Sequence, residues 1–544
     1  DFKIDSNFSL IDNKYKNKVE NQNIKFAIKN NKKNSIDVET IIQTNRLKIY
    51  SQDVKKYLNL NNILIKDEDI ELDSNNKINF SVDKKNNIND LKVKSFLKFD
   101  KLTIDYKSNK LKKFVLNYDD KIHLKGNNIE INYTKEKTEI KGEGKYSLND
   151  KFENYNVKIN NIKNKYNFDG FFDLINIPIQ IDKIGYQKTN NNNLSTINLI
   201  GFYNKNNKNL FLSEANFIDG KNKFEISNLN IELNKYLKVK NIDKLRLNYL
   251  NSKKKLNDIT FIKKNNNYEL TGTNYDGRSL VNNIIDGNSN NNFFNIFENL
   301  NSDIKININQ LYLGDQSYLE NILGNIIVKK NKIYTSKINA FLNKNNKFSY
   351  SLKSTPDNVK ITKLYIENPE PFIKNYKFIK GFKEGTLEFN STKIGKISKS
   401  NLKIYDFKVQ KVPVLAKILT LASLQGIADI LTGEGIRFNQ FDMDYIKNGE
   451  NTSIKEMYAI GPAISIIMEG YLVKDKLTSL KGTLVPATTI NKSIKKIPLI
   501  GNILVGKKVG EGVFGVSFKI KGPPKDLKTT VNPVKTLTPR FITR

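Results

Sequence analysis

From the N-terminus to about residue 400, apolar and polar positions alternate. Ile24, Phe26 and Ile28 are interleaved with Lys25 and Ala27, and Ile129, Ile131 and Tyr133 with Glu130 and Asn132. Tyr155, Val157 and Ile159 repeat the pattern, as do Leu245, Leu247 and Tyr249, then Ile304, Ile306 and Ile308. Successive side chains of a strand point to opposite faces, so each segment reads as a strand with one apolar and one wet face. The apolar set is rich in β-branched and aromatic residues, which suits strands. Asn/Lys/Asp/Gly clusters at 190–193, 264–267 and 329–332 supply turn chemistry. Strands recur roughly every 10–15 residues, and sequential antiparallel pairing is the expectation, because parallel pairs need long crossovers. Phe224 and Ile226 share one parity while Leu229, Ile231 and Leu233 take the other, which places a bulge or bend near Asn228. Short helices are predicted at 278–285, 293–300 and 318–323.

Near residue 400 the texture changes: Lys and Asn thin out, and Gly, Ala, Leu and Pro rise. Two regions follow, a repetitive β-sheet over 1–400 and an α+β region over 401–544. The segment 412–431 is apolar nearly all round, through Val414, Leu415, Ile418, Leu419, Leu421, Ala422, Leu424, Ile427, Ile430 and Leu431. It predicts one helix that is buried or lies against something apolar, stopped by Gly433 and Gly435. Strands are predicted at 436–445, 465–472, 480–485 and 513–521. A second apolar segment, 490–505, is broken by Pro498 and Gly501. No run reads as a membrane-spanning helix: 412–431 carries Pro413, Lys417, Gly426 and Asp429. The chain opens on Asp1 rather than Met, as a fragment or processed product would, which leaves room for an anchor upstream.

Composition removes whole classes of chemistry. There is no Cys, hence no disulfide, thiolate nucleophile, Cys-ligated zinc or iron–sulfur cluster. With His123 alone, a multi-His metal site cannot be built within the chain. Lys+Arg number 90 against 56 Asp+Glu, a formal net charge of +34. Such an excess points to nucleic acid or to an anionic membrane surface. Yet the basic residues are mostly Lys in company with Asn and Ile, and they are spread along the chain rather than gathered in a stripe. Codon bias and solvated strand faces account for that, and no RNP-like aromatic motif is present.

Local motifs lead nowhere specific. Gly510, Gly512 and Gly515 fit G-x-G-x-x-G, but Val516–Ile520 alternates like a strand where a dinucleotide site needs a helix. Gly501 and Gly506-Lys507 resemble a P-loop, with Lys508 where a magnesium-binding Ser or Thr belongs. Asp67, Asp69, Glu71 and Asp73 line one strand face, but Leu72 and Ile78 break the EF-hand pattern. They read as a solvated face. His123, between Ile122 and Leu124, points to the polar side. No catalytic, metal or cofactor constellation emerges, and an enzyme is the least expected class.

An ordered series of short motifs fills the C-terminal quarter: Tyr405-Asp406-Phe407-Lys408-Val409; Pro413-Val414-Leu415-Ala416-Lys417 running on to Gln425-Gly426-Ile427-Ala428-Asp429; Gly433-Glu434-Gly435-Ile436-Arg437-Phe438; Gly461-Pro462-Ala463-Ile464; Gly482-Thr483-Leu484-Val485-Pro486; Ile497-Pro498-Leu499-Ile500-Gly501-Asn502; Gly510-Glu511-Gly512-Val513-Phe514; Lys521-Gly522-Pro523; and Val531-Asn532-Pro533. In this order they resemble the C-terminal region of the AsmA-like superfamily, nearest to its large YhdP-type members. Thr538-Pro539-Arg540-Phe541 departs from that pattern, which has Gly after Pro. The resemblance implies a periplasmic, envelope-spanning β-sheet protein that carries phospholipids between inner and outer membranes, anchored in the inner membrane by an N-terminal helix, with no catalytic residues and no cofactor. Envelope proteins are implied as further partners.

The expected fold is therefore mainly β: a long, curled, largely antiparallel sheet forming an elongated apolar groove, with a few short helices and the α+β C-terminal region. Roughly 20–25 strands at about 4.8 Å each would extend about 100–120 Å. Exposing a ~14-carbon chain to water costs roughly 11 kcal/mol at ~0.8 per CH₂. A continuous apolar trough removes that barrier without any reactive group. The candidate lipid contacts are Leu245, Leu247, Tyr249, Ile304, Ile306 and Ile308 on strands, and Leu415, Ile418, Leu419, Ala422, Ile500, Ile503 and Leu504 in the apolar segments. Two alternatives fit the same alternation or charge: a structural or adhesive β-solenoid or sandwich with a dry core, and a polyanion-binding protein.

Overall fold

The computed structural model describes residues 2–12, 17–31, 35–50, 64–65, 69–149, 151–188, 194–233, 237–278, 293–375, 381–486, 515–524 and 526–532. The protein is mainly β, with few short helices. It divides into two units, one comprising Asp1–Lys264 with Phe293–Asn299 and the other Asn265–Asn292 with Leu300–Arg544. The compositional change near residue 400 falls inside the second unit, where strand pairing runs across it.

The first unit contains β1 (Phe2–Asp12), β2 (Asn17–Asn31), β3 (Ser35–Tyr50), β4 (Leu64–Ile65), β5 (Asp69–Val82), β6 (Ile88–Asp105), β7 (Lys121–Thr134), β8 (Lys137–Ser147) and β9 (Glu153–Ile162). It continues with β10 (Lys165–Asp173), β11 (Gln180–Ile181), β12 (Tyr186–Gln187), β13 (Ser195–Asn204), β14 (Asn209–Asp219), β15 (Asn222–Glu232), β16 (Lys238–Asn241), β17 (Lys244–Leu250) and β18 (Leu256–Lys264). Apart from the short β4, β16 and the β11–β12 hairpin, each strand pairs antiparallel with its sequence neighbour. The Asn/Lys clusters do turn work. Lys163 and Asn164, between β9 and β10, both have positive φ (49° and 66°), the two-residue turn whose twist suits a hairpin. The parity change in β15 is resolved at Asn228, φ 51°. Before it the strand pairs with β17, and after it with β16.

The second unit contains β19 (Asn267–Asp276), β20 (Ser302–Tyr312), β21 (Tyr318–Lys329), β22 (Lys332–Leu342), β23 (Asn346–Ser354), β24 (Val359–Glu367), α1 (Glu370–Asn375), β25 (Phe382–Ile394) and β26 (Ile397–Val409). Then come α2 (Pro413–Leu421), α3 (Gln425–Thr432), β27 (Ile436–Asn448), β28 (Asn451–Ile460), β29 (Ile464–Val473), β30 (Leu477–Pro486), β31 (Val516–Gly522) and β32 (Lys528–Asn532). From β20 onward the pairing is again sequential and antiparallel. The sheet is not closed into a barrel. β1 pairs only with β2, and β32 only with β31, among the described strands.

Four expectations are corrected. β19 and β20 are parallel, Tyr268 opposite Ile304 and Leu270 opposite Ile306, because the long connection between them allows a crossover. The helix predicted at 318–323 is the start of β21: Leu319 and Ile322 face the core across an irregularity in the pairing with β22. The apolar helix predicted over 412–431 is two helices. Ser423 takes a left-handed conformation, φ 58°, and Leu424 N–H donates to Leu419 O at 2.9 Å, reversing the chain. The break lets both helices turn an apolar side inward, Leu415, Ile418 and Leu419 from one and Ala428 and Leu431 from the other, while Lys417, Gln425 and Asp429 stay exposed. At 293–300 only Phe293–Ile296 is helical, as a 3₁₀ turn. Of the helix predicted at 278–285, all but Arg278 lies outside the described residues.

Lysine–carboxylate pairs bridge neighbouring strands on the polar face: Lys25–Asp5 at 2.9 Å, Lys94–Glu130 and Lys141–Glu130 at 3.6 Å, Lys244–Glu225 at 3.3 Å. Exposed pairs of this kind contribute little to stability. The tyrosines carry a stronger pH signature. Tyr118 Oη donates to Tyr106 O at 2.6 Å, and burial, with Asp120 and Asp119 nearby, pushes its phenol up to about 12. Tyr458 Oη donates to Asp442 Oδ2 at 3.0 Å, and burial and that carboxylate likewise raise it to about 12. The ordinary value is 10.0, so the folded chain keeps these protons after the unfolded chain has lost them. Their contribution is complete below pH 10 and is lost as pH rises to about 12. Denaturant midpoints measured from pH 9 to 12 are expected to fall steeply, and less so in a Tyr118→Phe, Tyr458→Phe double variant.

Candidate apolar site

Strand register assigns every side chain of each sheet to a face. In the first unit one face carries a cross-strand row: Leu97, Ile129, Gly142, Val157, Gly170, Leu199, Ala215, Ile226, Leu245 and Phe261, each opposite the next. The row beside it is Phe99, Asn127, Gly144, Tyr155, Phe172, Ile197, Phe217, Phe224, Leu247 and Ile259. The two rows have different fates. Over Tyr155, Phe172, Ile197, Phe217, Phe224 and Leu247 packs a plug from the segments around 111–118 and 174–186, through Val115, Tyr118, Leu174, Ile177 and Tyr186. Tyr186 meets Phe217, Phe224 and Tyr249 edge-on at centroid distances of 4.9–5.9 Å. The plug is fixed by buried polar bonds. Tyr186 Oη donates to Asp219 Oδ2 at 2.6 Å, and Lys188 Nζ to Ile175 O at 2.6 Å. Burial lowers the Lys188 ammonium, while Asp219 and Glu153 oppose that shift. Burial and the Asp219 bond push the Tyr186 phenol up. In the Leu97–Phe261 row, by contrast, Leu97, Ile129, Val157, Leu199, Ile226, Leu245 and Phe261 remain partly exposed.

The second unit repeats the arrangement. Leu270, Ile306, Gly324, Ile338, Tyr350, Leu364, Phe389, Leu402, Met443, Met457, Met468 and Gly482 form one unbroken row, each opposite the next from β19 to β30. All twelve are partly exposed. On one side lies a dry core: Ile308, Ile322, Ala340, Ile366, Leu387 and Ile404 packed with Ile373 of α1, Leu415, Ile418 and Leu419 of α2, and Ala428 and Leu431 of α3. The chain's three methionines are Met443, Met457 and Met468, consecutive in that one row. Flexible thioethers on neighbouring strands make an adaptable apolar surface.

On the row's other side the face grades into hydroxyls: Thr362, Ser391, Ser400 and Tyr445, paired in that order, with Ser391 and Ser400 hydroxyls 2.8 Å apart. One step further come Ser354, Lys360, Lys393, Ser398, Lys447 and Thr452, again in register.

These rows place the sequence candidates. Leu245 and Ile306 stand in the partly exposed rows. Leu247 and Tyr249 are 7% and 1% exposed under the plug. Ile304, Ile308, Leu415, Ile418, Leu419 and Ala422 are 9% exposed or less. These buried residues hold protein against protein; the helices 413–421 and 425–432 seal one margin of the sheet. Ile500, Ile503 and Leu504 lie outside the described residues. Sequence reasoning took every apolar strand position as equivalent and missed both the sorting into covered and uncovered rows and the methionine cluster. The latter was in reach, since 443, 457 and 468 share a parity with the apolar positions of their strands.

Of the remaining motifs, Asp67, the apolar segment 490–505, the P-loop-like residues 501–508 and Gly510 and Gly512 lie outside the described residues. His123 Nδ1 lies 3.3 Å from Thr103 Oγ1, and its Nε2 lies 4.0 Å from Asp119. Asp73 accepts from Arg46 N–H at 2.7 Å, and Glu71 lies 4.0 Å from Arg46. Residues 516–522 form a strand after Gly515, which removes the helix a dinucleotide site requires. A cleft of about 630 Å³ in the first unit is lined by Asp73, Phe96, Lys98, Glu130 and Lys141, together with Leu97, Ile129 and Gly142 at the start of the first apolar row. Among the described residues, no group of three His, Asp or Glu could hold a metal ion, and no helix is long and apolar enough to cross a membrane. No family model, curated protein or solved structure matches this chain.

Proposed function

We propose that the protein is a non-enzymatic phospholipid carrier whose uncovered apolar rows hold acyl chains. The observation that supports this reading is the second unit's row from Leu270 to Gly482, apolar at every position over twelve paired strands and partly exposed throughout. At about 4.8 Å per strand it measures about 50 Å, room for about three acyl chains of about 15 Å, half a bilayer's hydrocarbon thickness. Each buried CH₂ contributes roughly 0.8 kcal/mol, so a ~14-carbon chain lying there recovers much of the roughly 11 kcal/mol that water would cost it. The plug and the helices α2 and α3 fix one margin of each sheet, leaving the adjoining row to the ligand. The motif series resembling AsmA-like proteins agrees with this reading, and with it a place in the envelope between inner and outer membranes.

Lipid extraction of the natively purified chain tests the proposal. Phospholipid is expected to copurify, and to be largely lost in a Val157→Glu, Leu364→Glu variant that puts a carboxylate in each row. A Leu364→Met control is expected to retain it. A lipid-free wild type would contradict the reading and favour the dry-core alternative.

A further inference from the structure

The grading of the second unit's face, from apolar through hydroxyl to lysine, matches the order of groups in a phospholipid laid across it. We propose that Lys360, Lys393 and Lys447, with Ser354, bind the phosphate group of a lipid whose acyl chain lies on the adjoining apolar row. The inference rests on the acyl-chain reading above and adds a headgroup to it.

Three observations carry it. The lysines stand in one register row, Lys360 directly opposite Lys393, and Ser398 between Lys393 and Lys447. Each is two positions from a hydroxyl residue and four from an apolar one on its own strand: Lys360, Thr362, Leu364; Lys393, Ser391, Phe389; Lys447, Tyr445, Met443. Secondly, the charge is unbalanced. Lys94, Lys244 and Lys403 pair with carboxylates across strands. These three and the neighbouring Lys332 form no ion pair among the described residues, and no carboxylate occupies the row from Ser354 to Thr452. Burial, with Lys393 and Lys332 close by, holds the Lys360 ammonium below its usual range, the direction an incoming anion would reverse. Thirdly, Ser354, opposite Lys360 and 7% exposed, has a buried hydroxyl with no partner, as has Thr355 beside it. An unpaired buried hydroxyl is costly, and a phosphate oxygen is an acceptor for it.

Soluble probes on the full chain decide the matter: dihexanoyl phosphatidylglycerol, uncharged dihexanoylglycerol and inorganic phosphate, each by calorimetric titration. The phosphate-bearing lipid is expected to bind at least tenfold more tightly than the other two. Lys360→Gln and Lys393→Gln are each expected to weaken it about fivefold, from roughly 1 kcal/mol per lysine near an anionic surface. Binding of dihexanoylglycerol should not change, and Lys360→Arg should keep the charge and most of the affinity. Equal binding of the two lipids, unaltered in the glutamine variants, would overturn the headgroup site while leaving the acyl-chain reading standing. Inorganic phosphate binding as tightly as the lipid would overturn the lipid source. Failure of both lipids to bind would remove the acyl-chain reading itself, and this inference with it.

Discussion

Leu419→Ala is expected to destabilise the second unit by about 4 kcal/mol, near the top of the range for leucine truncations. Leu419 is 0% exposed, on the helix Pro413–Leu421, in the cluster that joins that helix to the core of strands 302–312 through 436–448. Its backbone carbonyl also accepts the Leu424 N–H that reverses the chain between the two helices, so a cavity there has little freedom to collapse. Hydrogen exchange read peptide by peptide is the suitable measurement. Protection is expected to drop across 413–448 and to stay unchanged across 121–173 in the first unit. Leu421→Ala is the contrast: that side chain is 46% exposed, and its truncation is expected to cost less than about 0.5 kcal/mol. Equal losses from the two variants would contradict the packing described for these helices.

Asp219→Ala is expected to release the plug of the first unit. The residue is 0% exposed and accepts the Tyr186 hydroxyl at 2.6 Å, with Tyr186 itself 1% exposed. Removing the carboxylate strands a buried phenol and withdraws the negative charge that favours the Lys188 ammonium, a loss of about 1.5–3 kcal/mol as for other hydrogen bonds to charged groups. Exchange protection over 174–188 is expected to collapse before that of the strands beneath. Tyr186→Phe keeps the ring contacts with Phe217, Phe224 and Tyr249 and removes only the hydroxyl, so its cost is expected to be smaller. Negligible losses from both variants would show that ring packing, not the polar bond, fixes the plug.

Much of the fold was legible in the alternation itself. Period-2 patterning and Asn/Lys turns identify strands such as Ile129–Tyr133 and hairpins such as that at Lys330-Asn331, where both residues have positive φ (48° and 62°), because a strand's faces and a turn's positive φ are local matters. The bend at Asn228 was legible for the same reason: a parity change has to be absorbed by one residue. What periodicity cannot convey is tertiary. Ile304, Ile306 and Ile308 look alike in sequence, yet Ile304 and Ile308 are 2% and 3% exposed while Ile306 stays partly open. That difference comes from elements distant in sequence. The split of the apolar helix near Ser423 was hidden because its composition is apolar on both sides of the break. The lysine row was hidden by abundance: among 90 basic residues, three on an otherwise apolar face do not stand out until register aligns them.

With 90 basic against 56 acidic side chains, 34 basic groups have no carboxylate side chain to match them. Lysines such as Lys25, Lys94 and Lys244 lie on polar faces and meet carboxylates of neighbouring strands. Lys360, Lys393 and Lys447 border the apolar row, in a register row that holds no carboxylate.

Acyl-chain binding on the partly exposed row is tested by site-specific photocrosslinking followed by mass spectrometry of the attached lipid. A photoreactive residue placed at Ile338, Leu364 or Leu402, in the partly exposed row, is expected to capture phospholipid. The same residue at Lys363 or Lys403, on the opposite face, is expected to capture none. Equal labelling of both faces, or none at any row position, would contradict the account.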